Sequence, residues 1–321
     1  MEKPELCFPQ LVNSSCSRLK LPYVELLLYY SVLSVMSALT TVLNLLVIIS
    51  VSHFRQLHTP TNILLLSLAV SDFFVGLLQV FQIALIDGCW FLGDIVCTLY
   101  QYLAYFITSA SVGTMVLISI DRYVAICYPL YYSSRVTQDK VMICVCLCWI
   151  CSSLFQSLIL KDNLKEPGRY YSCVGECVFA SSYFAGLADL MFSFIVPITV
   201  IVMLYLRVFA VVVSQSRAMR SHGADFALQS SVKSKNSQTK AAKTLGVVVV
   251  AFLLCMCPYY CVALTSEDNT PLATFVVCLF YFNSCLNPII YVFFYPWFRK
   301  SIRLISTLQI LQAHSCDTNL L

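Results

Sequence analysis

Seven long apolar runs divide the chain, at residues 22–52, 61–86, 98–120, 141–160, 182–213, 243–264 and 271–294, with polar segments between them. The stretch Leu99–Ile120 carries no formally charged side chain over its 22 residues. As a helix at about 1.5 Å per residue it reaches about 33 Å, enough to cross a hydrocarbon core of about 30 Å. The alternating segments of about ten residues that mark a membrane barrel do not occur in the sequence. The pattern predicts an all-α integral membrane protein, a seven-transmembrane helix bundle over residues 22–294. A polar N-terminus, 1–21, precedes it, and residues 295–321 follow. There Trp297–Leu304 interleaves apolar and basic residues, as in a short amphipathic eighth helix lying on a lipid surface.

Composition agrees with the pattern and adds an orientation. Of 321 residues 59% are hydrophobic and 11% charged. Water-soluble domains average about 25% charged, so that class is excluded. Of twenty Lys and Arg, six (Lys3, Arg18, Lys20, Lys161, Lys165 and Arg169) fall in the N-terminus and the even-numbered gaps between spans. The other fourteen fall on the opposite side, which by the positive-inside rule is the cytosol. The expected topology is a plasma-membrane protein with its N-terminus outside. The net charge of +4 is then a topology signal and no sign of nucleic-acid binding. No apolar signal-peptide core precedes the first span, which is expected to direct its own insertion.

The cysteines and the sequon sort by the same topology. Six of seventeen cysteines, Cys7, Cys16, Cys89, Cys97, Cys173 and Cys177, are expected outside, where up to three disulfides form among fifteen connectivities. The rest, in or below the membrane, read as small packing residues. Asn13-Ser14-Ser15 is a glycosylation sequon on the outer side.

Polar residues inside the spans carry the chemistry. Asn44, Asp72, Asp189, Asn283, Ser284 and Asn287 all lie within apolar runs. A carboxylate at that depth costs several kcal/mol unless it finds partners, so it is read as functional. All four histidines (His53, His58, His222, His314) lie outside the spans, which removes an intramembrane histidine metal site and leaves an enzyme without support. Residues 271–294 contain no lysine for a retinal Schiff base, and no internal repeat of the transporter kind is visible.

The ordered set Asn44, Asp72, Cys97, Asp121-Arg122-Tyr123, Trp149, Pro197, Pro258 and Asn287-Pro288-Ile289-Ile290-Tyr291, one or more per span, resembles the rhodopsin-like G-protein-coupled receptors. Asn283-Ser284, Tyr295 and Trp297-Phe298, with Lys240–Gly246 entering span six, resemble the trace amine-associated receptors within that family. The resemblance implies an olfactory receptor for amines, acting on a heterotrimeric G protein of the stimulatory or olfactory class. A receptor for a biogenic amine transmitter such as serotonin or histamine is the alternative. It also implies a disulfide Cys97–Cys177, and extra bridges Cys7–Cys173 and Cys16–Cys89 that fold the N-terminus over the pocket mouth.

The chain departs from the family where it matters most. The aspartate that usually holds the ligand ammonium, seven residues past the span-three cysteine, is here Ala104. An alkylammonium is not desolvated without a counter-charge. Asp189, eight residues before Pro197, is the one carboxylate deeper in the outer half, since Glu25 and Asp87 stand at span ends. Asp189 is expected to bind the ammonium of a small monoamine. By resemblance Tyr105, Phe106, Tyr259, Tyr260 and Tyr281 wall the pocket, with Thr108 and Ser109 adding hydroxyls. Asp72, Asn44, Ser111, Asn283, Ser284 and Asn287 match the family's polar cluster, for which the resemblance implies an allosteric sodium ion in inactive receptors, a water-filled cluster without an ion being the alternative. Otherwise no cofactor is expected.

Arg122 is expected to face the G protein beside Asp121 and Tyr123, with Tyr205 and Tyr291 as its active-state partners and Pro129-Leu130 as a docking knob. Pro258 is expected to kink span six. Met256 stands where relatives have a tryptophan toggle, which leaves the repacking to Phe252, Met256 and Val112. Gln238 stands where relatives often have an acid restraining Arg122, so some basal activity is expected.

Overall fold

The computed structural model describes residues 5–18, 22–178, 182–221, 246–262, 270–312, 315–318 and 320. Span one is Tyr23–His53, span two Pro60–Ala84, span three Asp94–Cys127 and span four Gln138–Ile159. Span five runs Tyr183–Ser214, span six shows Gly246–Val262, and span seven is Thr270–Phe294. Six of these are long and apolar enough to cross a bilayer, and the described part of span six is apolar but shorter. Gln238, like the rest of 222–245, lies outside the described residues.

Local chemistry sets the helix starts. Thr59 accepts a hydrogen bond from the Asn62 N–H (3.3 Å), with Pro60 as the first helical residue of span two. Thr137 and Ser182 cap spans four and five in the same way. Span five is not a continuous α-helix: Met191–Ile195 forms a π turn, in which the Val196 N–H reaches back to the Met191 carbonyl. Pro197 follows at once. A proline lacks an N–H and crowds the preceding turn, and a π turn is one way a helix absorbs that.

Span three is the hub. It packs against spans two, four and five, while span two also meets spans one, four and seven. Two glycines allow the closest approaches. A Cβ on Gly76 would lie 2.6 Å from Thr41 Oγ1 of span one, and one on Gly113 would lie 2.5 Å from Cys148 Sγ of span four. The largest core cluster joins Val47, Leu65, Leu68, Met115, Phe252 and Tyr291. The outward side chains are apolar too: Leu158, Phe184, Met203 and Phe209 are each more than half exposed. Such a surface is stable against lipid and aggregates in water. The eighth helix, Pro296–Ser306, buries Trp297 and Phe298 and leaves Arg299 and Lys300 exposed, as its pattern predicted.

At one end of the bundle three disulfides tie the loops together. Cys97–Cys177 joins span three to the segment before span five, as expected. The other two differ from expectation: Cys7 pairs with Cys89, and Cys16 with Cys173. The backbone explains the exchange. The N-terminal segment doubles back, with the Cys7 N–H on the Cys16 carbonyl (2.9 Å), and its second arm bridges to Val174 through Val174 N–H to Ser14 O (2.7 Å) and Cys16 N–H to Val174 O (3.0 Å). That register lays Cys16 beside Cys173 and leaves Cys7 over Cys89, where Phe8 meets Phe91 edge-on. Arg18 pairs with Glu5 (3.2 Å) and Asp87 (3.3 Å), pinning the same arm. Either pairing closes the N-terminus over this end of the bundle, so the lid stands with its two outer bridges exchanged. Asn13 is exposed on the turn between the two arms. Peptide mapping under non-reducing conditions should recover Cys7–Cys89 and Cys16–Cys173 fragments; recovery of Cys7–Cys173 would contradict this register.

Candidate ligand-binding site and switch

Beneath the disulfide-bonded end, spans two, three, four, five, six and seven enclose a cavity of about 690 Å³, within the usual range for small-molecule sites. Asp189 lines it and is 8% exposed. It is the one formally charged residue among the described lining residues, and no Lys, Arg or His among the described residues forms an ion pair with it. Gln156 of span four donates to Asp189 Oδ1 (2.9 Å), and Ser193 Oγ donates to the same oxygen (2.8 Å). Both hydrogen bonds thus fall on Oδ1. Oδ2 takes none from a described residue.

Asp189 and Ser193 stand one turn apart at the start of the π turn, and Gln156 reaches them from a neighbouring helix. Two neutral donors orient the carboxylate without neutralising it. A buried carboxylate held this way has the chemistry to accept a small cation. Gln156 was not singled out in the sequence, although a glutamine inside an apolar run carries the same signal as Asp189, only weaker.

The rest of the wall mixes aromatic, aliphatic and hydroxyl side chains. Tyr105, Tyr259, Tyr260 and Tyr281 line the cavity, and so do Thr108, Ser109 and Ala104. Phe106 does not. Its ring sits edge-on to Trp149 (5.6 Å, 78°) and parallel to Tyr102 (6.0 Å, 15°). One residue along a helix turns the side chain by about 100°, so while Tyr105 faces the cavity Phe106 faces span four. Phe194 stacks on Tyr260, with ring centroids 3.9 Å apart. Tyr100 and Gln82, unremarked in the sequence, complete the wall near Tyr281.

Deeper in the bundle Asp72 is fully buried. Asn287 Nδ2 donates to Asp72 Oδ2 (2.7 Å), and Asn44 Nδ2 bonds the Ser284 carbonyl (3.0 Å). Asp72 Oδ1, Asn283 Oδ1 and Asn287 Oδ1 are buried with no hydrogen-bond partner among the described residues, and Ser111 is buried on span three. A carboxylate oxygen and two amide oxygens without donors form a set that suits a hard cation. These residues fit a sodium ion, which would neutralise Asp72.

At the other end of the bundle Arg122 is held by its neighbours. Its Nε donates to Asp121 Oδ2 (2.9 Å), and its Nη2 bonds Asp121 and Thr61. Thr61 Oγ1 also donates to Asp121 Oδ2 (3.0 Å), and Tyr132 OH donates to Asp121 Oδ1 (2.9 Å). Tyr132 lies in the short helix Pro129–Arg135. Burial, with the Asp121 carboxylate beside it, holds its phenol above the usual range, so it stays a donor. The expected active-state partners are not engaged: Tyr205 OH and Tyr291 OH are buried without hydrogen-bond partners among the described residues. Leu130 is 87% exposed, and Tyr123 lies beside Arg122 in span three. Pro258 lies within span six and Pro288 within span seven. Phe252, Met256 and Val112 are buried in one cluster.

Comparison with known proteins agrees with this architecture. Residues 43–291 match the model of the "7 transmembrane receptor (rhodopsin family)". The chain is 36% identical to trace amine-associated receptor 13c of Danio rerio, over 98% of this chain and 96% of that protein. It is 34% identical to trace amine-associated receptor 1 of Mus musculus, over 91% and 92%. With trace amine-associated receptor 6 of Homo sapiens it shares 34% identity, over 98% and 95%. Nearly full-length similarity, the seven-helix bundle and the Asp121-Arg122-Tyr123 and Asn287–Tyr291 motifs converge. The chain belongs to the rhodopsin-like family of G-protein-coupled receptors, and within it to the trace amine-associated receptors.

Proposed function

We propose that this receptor sits in the plasma membrane with its N-terminus outside, and that a small amine is its ligand. Asp189 holds the ammonium. The observation that carries the reading is the burial in the cavity wall of a carboxylate with no cationic partner among the described residues, opposite a span three that has Ala104, not an acid, seven residues past Cys97. The names of the relatives supply the amine class. Gln156 and Ser193 fix the carboxylate, and the phenol faces of Tyr105, Tyr259 and Tyr260 add attraction of about 0.5–2 kcal/mol per well-placed ring.

On activation Arg122 leaves Asp121 and Thr61 and takes the orphaned hydroxyls of Tyr205 and Tyr291, opening the face that Leu130 flanks to a stimulatory or olfactory G protein. With an olfactory role, the output is cAMP. A sodium ion in the Asp72 cluster favours the inactive packing by neutralising the carboxylate and satisfying the donor-free oxygens of Asn283 and Asn287.

Three outcomes test these steps. In a cAMP screen of volatile monoamines, Asp189→Asn should cost at least about 100-fold in potency, since a charge-assisted contact of about 3 kcal/mol is lost. Surface expression should persist, and an undiminished response would refute the assignment. Tyr132→Phe removes one donor from Asp121 and should raise ligand-free cAMP above wild type; an unchanged baseline would show that the contact restrains nothing. In purified receptor, sodium chloride should raise the melting temperature above that in matched N-methylglucamine chloride. Asp72→Asn should erase that difference.

A further inference from the structure

Asp189 marks one polar end of the cavity; the other polar end has no role so far. Gln82 of span two, Tyr100 of span three and Tyr281 of span seven line the same cavity. They form a chain. Tyr100 OH donates to Gln82 Oε1 (3.1 Å), and the Tyr100 and Tyr281 hydroxyls stand 3.5 Å apart. With Tyr100 donating to Gln82, Tyr281 is the donor to Tyr100, so each phenol spends its proton on the next acceptor. The chain ends at the Gln82 amide, whose acceptor oxygen is occupied. Its Nε2 has two N–H donors, and no described residue accepts from them.

Two physical constraints follow. While the cavity holds water, those N–H groups are hydrated. Once an occupant expels the water they must meet an acceptor or remain unsatisfied, at a cost comparable to a lost hydrogen bond. The second constraint is electrostatic. Apart from Asp189 the described lining carries no formal charge, and Ala104 supplies none on span three. A second ammonium at this end would therefore be desolvated among neutral dipoles, with the donor end of an amide facing it.

The two ends are carried by helices that meet through span three rather than extensively with each other. Span two packs against spans one, three, four and seven, whereas span five packs against three and four. An occupant that reaches both must extend across the cavity, past Ala104 and Tyr105.

We infer that Gln82, Tyr100 and Tyr281 form a neutral subsite that takes a hydrogen-bond acceptor on the far end of the ligand. This rests on the reading that Asp189 holds the ammonium, and it narrows the ligand class. The preferred ligand is a monoamine whose chain ends in an ether, carbonyl or hydroxyl oxygen; a plain alkylamine leaves the Gln82 donors unsatisfied, and a diamine opposes them with charge.

The test uses the full-length receptor and three matched series of increasing chain length: ω-methoxyalkylamines, the alkylamines in which CH2 replaces the ether oxygen, and α,ω-diamines. cAMP potency is read alongside ligand-induced thermal stabilisation of the purified protein. At the best chain length the ether should be about tenfold more potent than its alkylamine, the value of about one hydrogen bond. The diamine should be weakest. Gln82→Leu should bring ether and alkylamine within about twofold of each other. No ether preference at any length, or a preference that survives in Gln82→Leu, overturns the subsite. If Gln82→Leu fails to reach the membrane, the wild-type series decides, and a diamine or alkylamine that matches its ether overturns the proposal. Asp189→Asn separates the two readings. Loss of every amine response with no ether preference in wild type removes the subsite alone, whereas intact responses in Asp189→Asn remove the ammonium assignment. No stabilisation by any series removes both.

Discussion

A carboxylate buried among apolar helices must be neutralised, hydrated or paired, and the arrangement around Asp189 is governed by that demand. Gln156 and Ser193 supply two hydrogen bonds to one oxygen, enough to fix the group but not to cancel its charge. The π turn at Met191–Ile195 begins beside it, and Pro197 closes the turn. Span five therefore gives up helical regularity where its one acidic side chain meets the cavity. Irregular backbone at membrane depth is tolerated where it is covered by protein or lines a polar cavity. The opposite wall complements this. Ala104 supplies no carboxylate from span three, so Asp189 is the one negative charge among the described lining residues.

Much of this was legible in the sequence, because the bilayer makes strong demands on it. Apolar length fixed the helices and their number. The charge-free stretch from Leu99 to Ile120 found span three, and the rule that polar groups inside lipid need a reason found Asp72 and Asp189 without any structure. The amphipathic helix after span seven was readable from the alternation of Trp297 and Phe298 with Arg299 and Lys300. These are one-dimensional properties, and the membrane reads them along one axis.

What sequence could not supply depends on rotation and register. Phe106 and Tyr105 are adjacent, of similar size and equally apolar in their bodies; only the angle of span three against span four puts one in the cavity and the other on Trp149. The outer disulfides turned on the same kind of choice. Fifteen pairings satisfy six cysteines, and a two-armed N-terminal segment that lays Cys16 against Val174 selects one. Gln156 was available to the argument that found Asp189. A neutral amide inside a span is a cheaper anomaly than a carboxylate, and it stands out only once the helix beside it is known.

The floor of the cavity is where the site meets the switch. A ligand shifts a conformational equilibrium only through contacts that differ between the two states. Tyr260 lines the cavity and lies flat on Phe194, at 3.9 Å between ring centroids. Phe194 in turn belongs to the buried cluster that contains Val112, Phe252 and Met256. That cluster continues through Met115 and Ile118 of span three toward Arg122, and includes Tyr291 of span seven. At that junction stands Met256, where the family resemblance leads to the expectation of a tryptophan. With Met256 there, no single rigid side chain serves. A flexible thioether fills gaps without imposing an orientation, and the rigid contact between cavity wall and core here is the stacked pair Tyr260–Phe194. A ligand held at Asp189, as proposed, would lie against the same helix that carries Phe194, five residues further along and within the π turn. The π turn thus carries both Ser193, a donor to Asp189, and Phe194, the ring that stacks on Tyr260.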